Sequence, residues 1–401
     1  MAAPTADVLI VGGGLAGSLL ALELRQLGAR VTLIEAEPGS GAPSATAWSY
    51  GVVPGWPLAP TPLARAAAGA SRRWRALQRR HGDLGWRPAR AGLLGGGPLP
   101  GLLAQLGVLP LAQVDAPTLL RRLPAVLAAA GVHCCEGEAV RLEPNPGPDG
   151  PADGPHPEGS AAWRVRLADG AVLEAGQLVL AAGASCRNLW PALPPALQRS
   201  WAGVLEVASP LLRPRTGRPA LLLPGRFQRI GLERRSGALR EPAWVVDAGL
   251  VPRQADVLVG QLSWIAGAGA AADAASGPPA AVAEGWLRQA LAADAALTRA
   301  APDLLVALER GQGLYRQLPV AFCRDGLPLA GPLMSAPPGL WLFSGFSGGF
   351  AQVPVLAPLL ATAIMAARER APAAWPGGDS LARRELQRLQ VWPGEPAVVS
   401  S

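Results

Sequence analysis

The 401-residue chain contains no lysine, and all 36 of its basic residues are arginine. No Schiff base with pyridoxal phosphate or with a carbonyl substrate can therefore form on it. Histidine and cysteine are nearly as scarce, at 3 and 4 residues. Cys134, Cys135, Cys186 and Cys323 make no C-x-x-C pair and no metal-ligand spacing with His81, His133 and His156, so no metal is expected. Free thiols in a reducing compartment are expected instead. His133 adjoins a predicted strand and His156 lies in a Pro/Gly-rich stretch, positions that suit structure or solvation better than catalysis. Aromatic residues are only 5% of the chain, so Leu, Ala and Val must carry the packing. A long hydrophobic run is also missing. The longest late stretch, 353–367, is interrupted by Pro354 and Pro358 and reads as too short to span a bilayer. The first residues carry no basic n-region, so a cytoplasmic protein without a membrane partner is expected. The net charge of +7, together with 49 Gly and 42 Pro, reads as a bias of the whole chain rather than a basic patch. That argues against nucleic acid as a partner.

What the chain does have is concentrated between Asp7 and Glu35. Val8, Leu9, Ile10 and Val11 form a short apolar run, as in a strand buried on both faces. Gly12, Gly14 and Gly17 then give G-x-G-x-x-G, with Leu15 and Ala16 inside the motif. Gly12 permits the tight turn, Gly14 lets a pyrophosphate approach the backbone, and Gly17 lets the following helix pack close to the sheet. That helix, over 18–27, offers free N–H groups and the positive end of its dipole to a phosphate. A second strand over 31–34 ends at Glu35, about 20 residues beyond the glycines, where a carboxylate holds a ribose hydroxyl and disfavours a 2′-phosphate. The unit does not by itself separate NAD from FAD.

Beyond Glu35, a loop of small and polar residues offers Ser44, Thr46, Ser49 and Tyr50 as candidates to touch a cofactor. Helices are expected over 62–80, over 116–130 with Asp115 as cap, over 282–293, over 353–368 and over 380–391. Strands are expected at 86–94, 132–135, 139–142, 163–167, 171–174, 178–180, 204–207, 220–223, 244–247, 257–262 and 340–343. Asp169-Gly170 marks a hairpin. The stretches 144–159 and 267–279 read as loops.

Several segments, in order, resemble the D-amino acid oxidase-like FAD-dependent oxidoreductases, the family of glycine oxidase and sarcosine oxidase. They are the opening βαβ unit, the loop around Ser44, VDAPTLLRRLPAVLAAAGV, LVLAAGAS, DGLPLAG and LWLFSGFSGGFAQVP. The resemblance implies an α/β fold: a Rossmann-like FAD-binding domain from 1–80, 116–195 and 320–375, with a mixed, mainly antiparallel β-sheet substrate domain from 81–115 and 196–319. A C-terminal helix and tail would follow over 376–401. It implies oxidation of a C–N bond of an amine or amino acid by hydride transfer to FAD, with oxygen or another acceptor taking the electrons. Two alternatives stand beside it: oxidation of an aminomethyl side chain on a tRNA base, and a flavin-binding scaffold without turnover.

Carried over by position, Gly12, Gly14, Leu15, Ala16 and Gly17 would hold the pyrophosphate, and Glu35 the adenosine ribose. Val140 would meet the adenine through its backbone. Ser44, Thr46, Ala182 and Gly183 would line the dinucleotide. Gly345, Phe346, Ser347, Gly348, Gly349 and Phe350 would lie by the pyrimidine edge of the flavin. Three places depart from the family pattern. Val320 or a neighbour stands where relatives have a carboxylate-binding Arg, which leaves Arg316, with Tyr315 and Tyr50, as the candidate catalytic residues. The turn GFSGGF lacks the family's His, and there is no Lys beside the flavin. Cys323 is too close to Asp325 to match a flavin-linking Cys, so noncovalent FAD is expected.

Overall fold

Every residue of the first strand, β1 (Ala6–Val11), is buried in the computed structural model, which describes residues 6–37, 44–95, 110–145, 162–208, 221–267, 276–368 and 380–393. Strand alternation divides the core at this point. Val8 and Ile10 face a cluster built with the helices, whereas Leu9 and Val11 face a second cluster on the other side of the sheet.

The chain continues through α1 (Leu15–Gln26), β2 (Val31–Glu35), β3 (Val52–Pro54), α2 (Pro62–Ala67), α3 (Ala70–His81), β4 (Trp86–Ala89), β5 (Ala91–Leu94) and β6 (Leu111–Val114). Next come α4 (Ala116–Ala129), β7 (His133–Glu136), β8 (Ala139–Pro144), β9 (Trp163–Leu167), β10 (Val172–Leu180), β11 (Leu197–Ala208), β12 (Leu221–Pro224) and α5 (Gln228–Arg235). The last third holds β13 (Ala243–Pro252), β14 (Asp256–Ile265), α6 (Ala280–Ala293), α7 (Ala295–Ala300), α8 (Pro302–Glu309), β15 (Leu314–Cys323), β16 (Leu329–Pro332), β17 (Leu340–Ser344), α9 (Gly349–Arg368) and α10 (Leu381–Arg388).

The main sheet runs β16-β17-β10-β1-β2-β7, with the β8–β9 hairpin attached to β10. Strands β17, β10, β1, β2 and β7 are parallel, as expected of a nucleotide-binding sheet. A second sheet, β15-β11-β14-β13-β12-β5, is antiparallel except for the β12–β5 edge. A small third sheet joins β3, β6 and β4. This is the expected mixed α/β architecture with a parallel sheet and a second, mainly antiparallel one.

Local signals held where the chemistry is local. Asp115 caps α4, accepting from the Thr118 N–H at 3.0 Å. The Asp169-Gly170 turn joins β9 to β10 as a hairpin. Other expectations are corrected. The stretches 171–174 and 178–180 are one strand, β10, because its N-terminal half pairs with β9 and its C-terminal half with β1 and β17. Residues 62–80 form two helices that break at Ala68-Gly69. Residues 86–94 are two strands in different sheets. Helix α9 is 20 residues long despite Pro354 and Pro358, and it is apolar enough by length and composition to cross a membrane. Its Val353, Leu356, Leu360 and Ile364 are nonetheless spent on the same core cluster as α1. Strand β15 pairs with β11 along its whole length to Cys323, so the second sheet extends past the boundary expected at 320. Most of the two expected loops, 146–159 and 268–275, lies outside the described residues.

Candidate active site

The turn from β1 into α1 is shaped by three glycines with different duties. Gly12 has φ +109°, and a Cβ there would lie 2.6 Å from the Ala181 carbonyl oxygen. A Cβ on Gly17 would strike the Gly12 carbonyl and approach the Ile10 side chain, so this glycine sets how closely α1 approaches β1. Gly14 instead lines an open cavity, together with Gly12, Leu15 and Ala16; Gly17 does not line it. Glu35 closes the turn: its carboxylate accepts from the Gly13 N–H at 2.5 Å and from the Glu37 N–H at 3.2 Å. A carboxylate has about four acceptor positions, so capacity for a ribose hydroxyl remains. The Thr46 hydroxyl accepts from the Leu15 N–H at 3.1 Å, and Ser44 accepts from the Ala47 N–H at 3.2 Å, which folds the loop against the helix start.

The cavity encloses about 1390 Å³ and runs from this turn to the second sheet. Gly137, Glu138 and Ala139 line one end. Val140 follows them and is exposed, outside the lining. Ala182 and Gly183 form the middle of the wall. At the other end, Gly345 to Phe350 line the cavity as the turn from β17 into α9. Phe346 packs edge-on against Phe343. Phe350 stacks on Trp74 and accepts from its Nε1 at 2.7 Å. The second sheet roofs this end with Ala202, Val204, Leu318 and Val320. Gln261 is the polar side chain that β14 adds to that roof.

The three candidate catalytic residues fare differently. Tyr315 is on the wrong face. Along β15, residues 316, 318 and 320 share one side and 315 the other, where Tyr315 packs with the cluster under α6 and donates to Gln317 Oε1 at 3.1 Å. Arg316 is on the roof's side but does not line the cavity. Its Nε and Nη2 both sit 3.0 Å from Glu206 Oε2, and its guanidinium lies 4.7 Å from the ring centre of Trp48, which does line the cavity. Tyr50 lines the cavity, but its hydroxyl donates to the Gly260 carbonyl. Burial, and then nearby Asp247, push the Tyr50 phenol far above its ordinary pKa, so it stays protonated and fixed.

Among the lining residues that sequence reasoning missed are Trp48, Gln261 and Arg229. Trp48 is gripped by two guanidiniums, with Arg253 at 5.0 Å from its ring centre in addition to Arg316. Its nearness to Ser44 and Thr46 was the available signal. Arg229, on α5, reaches the cavity from a segment that carried no motif.

The residues fit an FAD. Gly14 opens onto the cavity with only the Thr46 hydroxyl close to its Cβ position, and a glycine-rich helix start stands at the opposite end. Between them the wall is made of small residues that keep side chains out of the ligand's path.

Comparison with known proteins agrees with this geometry. Residues 7–109 match the family model described as DAO, FAD dependent oxidoreductase. No curated protein matches the chain. Glycine oxidase from Geobacillus kaustophilus superposes with a TM-score of 0.60 at 18% identity, covering 91% of this chain and 95% of its own. Iminodiacetate oxidase from Chelativorans sp. BNC1 gives 0.58 at 19% identity, covering 90% and 95%. L-Amino acid deaminase from Proteus myxofaciens gives 0.58 at 14% identity, covering 91% of each chain. The chain thus carries the FAD dependent oxidoreductase signature over residues 7–109, and its fold is the one shared by these two oxidases and the deaminase.

Proposed function

We propose that the protein is an FAD-dependent enzyme that oxidises a C–N bond of an amine or amino acid, passing a hydride to a noncovalently bound flavin. The observation that carries this reading is one continuous cavity that joins the Gly12–Glu35 turn to the roof of the second sheet. FAD, when bound, supplies the two-electron acceptor. The chain supplies the rest. The backbone N–H groups of Gly14 and Ala16 at the start of α1 bind and orient the pyrophosphate. Glu35 takes the ribose. Ala202, Val204, Leu318 and Val320 exclude water above the ring and hold the reacting carbon near it. Gln261 offers the substrate an amide for hydrogen bonding. Noncovalent attachment is supported by the cysteines near the cavity. Cys323 is buried against Gly345, its thiol pushed up to about 12 by burial and by Asp325 and Glu233, and Cys186 is buried with its thiol at about 11.

The test is spectroscopic. The purified protein should be yellow, and acid precipitation should release FAD into the supernatant. Anaerobic addition of a panel of amines and amino acids should bleach the flavin with at least one of them. A protein that binds FAD and is bleached by none would be a scaffold without turnover. A colourless protein that binds NAD would end the proposal.

A further inference from the structure

Resting on that reading, we propose that Arg229 is the cationic group at the pyrimidine edge of the flavin, where it supports the negative charge the ring carries once reduced. Arg229 sits in the first turn of α5, and its side chain is 15% exposed. It lines the cavity at the end formed by Gly345 to Phe350. Its Nη2 donates to the Ser347 carbonyl at 2.9 Å, and its Nη1 donates to Glu233 Oε1 at 3.2 Å. Its Nε is buried and has no hydrogen-bond partner among the described residues. A buried guanidinium with two nitrogens bonded and a third unspent is expensive unless the remaining donor has a use.

The surroundings are built to keep this cation in place. Asp247 accepts the Gln228 and Arg229 N–H groups at 2.6 and 3.1 Å, which pins the first turn of α5. Glu233, one helical turn further on, fixes the guanidinium and offsets part of its charge. Arg226 and Arg234 also line the cavity, but both are exposed. A positive charge in a half-dry site is worth far more than one in water. Transfer of a hydride breaks the substrate C–H bond, leaves an iminium ion, and delivers two electrons and one proton to a neutral ring. One net negative charge must then be accommodated. The chain has no lysine to meet it. Arg229 and the turn into α9 stand together at that end of the cavity, joined by the hydrogen bond from Arg229 to the Ser347 carbonyl.

Sulfite adds to oxidised flavin as an anion, and its affinity reports the positive charge nearby without any substrate. The holoenzyme and its Arg229→Met, Arg229→Lys and Glu233→Gln variants are titrated with sulfite while flavin absorbance and FAD content are recorded. Arg229→Met should raise the sulfite Kd at least tenfold, and Arg229→Lys should lie between it and wild type. Glu233→Gln should tighten sulfite binding, since it removes the opposing carboxylate and leaves the cation. That arm decides the matter if Arg229→Met does not fold. FAD-loaded variants with the wild-type sulfite affinity would overturn the inference, as would a flavin-loaded wild type that binds no sulfite. A weakened affinity for a carboxylate inhibitor with sulfite unchanged would transfer Arg229 to the substrate and overturn it equally. A wild type without FAD would overturn the functional proposal itself.

Discussion

A Cβ on Gly14 would meet only the Thr46 hydroxyl, at 3.3 Å, on the side of the turn that faces the cavity. Gly14→Val should therefore fold normally but bind FAD at least tenfold more weakly, a loss of about 1.4 kcal/mol or more. FAD content after purification checks this, and a full complement would mean that the pyrophosphate lies elsewhere. Arg316 leads to the opposite expectation. Its charge is already matched by Glu206 and its face by Trp48, so Arg316→Met should leave FAD content unchanged. The KM for carboxylate-bearing and uncharged amines should shift alike, and stability should fall by about 0.2–1 kcal/mol, as for a partly exposed ion pair. A selective rise in KM for the carboxylate-bearing substrate would restore Arg316 as its anchor. The glycines of the turn were legible in the sequence because their spacing is set by one local motif. Tyr315 and Arg316 were not, because adjacent residues of a strand point to opposite faces and the choice between faces depends on the pairing with β11.

Among the elements, the turn that leads into α9 is tightly constrained. Gly345 has φ +84°, and a Cβ there would press on the Cys323 sulfur. Gly345→Ala should cost about 1–2 kcal/mol from the left-handed backbone alone, with the steric contact added. The double variant Gly345→Ala, Cys323→Ala should recover the steric part and keep the backbone part. Thermal unfolding of the two variants and the wild type separates the contributions; equal losses in single and double variants would show that the sulfur contact carries no cost. The elements themselves were readable where periodicity was unbroken, as in β1 and α4. They were misjudged where tertiary packing overrode local breakers. β10 runs through Gly176 because neighbours pair with it on both sides, whereas α9 was legible as a helix through Pro354 and Pro358 and keeps both because the core holds it along its length.

At the scale of the whole molecule, Asp7 ties distant parts of the chain. It accepts from the Arg30 N–H at 2.8 Å and pairs with the guanidiniums of Arg30 and Arg368, the latter at the far end of α9. Burial alone would raise its pKa, but the Arg30 hydrogen bonds and both guanidiniums hold it below the ordinary value. The ionised form is thus favoured in the folded state, so its contribution is complete above the unfolded pKa and is lost as pH falls through the folded one. Asp7→Asn should lower stability at neutral pH by on the order of 1 kcal/mol, with exposed guanidiniums screening the pair. The difference from wild type should shrink steadily as unfolding is measured at lower pH. A difference that is constant from pH 7 to pH 3 would remove Asp7 from the acid limb. A last consequence comes from Tyr50, whose hydroxyl is bonded to the Gly260 carbonyl of the roof. That bond ties the nucleotide-side loop to the second sheet, like a stitch between the two halves of a shell. Cofactor exchange that needed the two to part would first have to break this bond, which couples release to a contact made far from the phosphate turn.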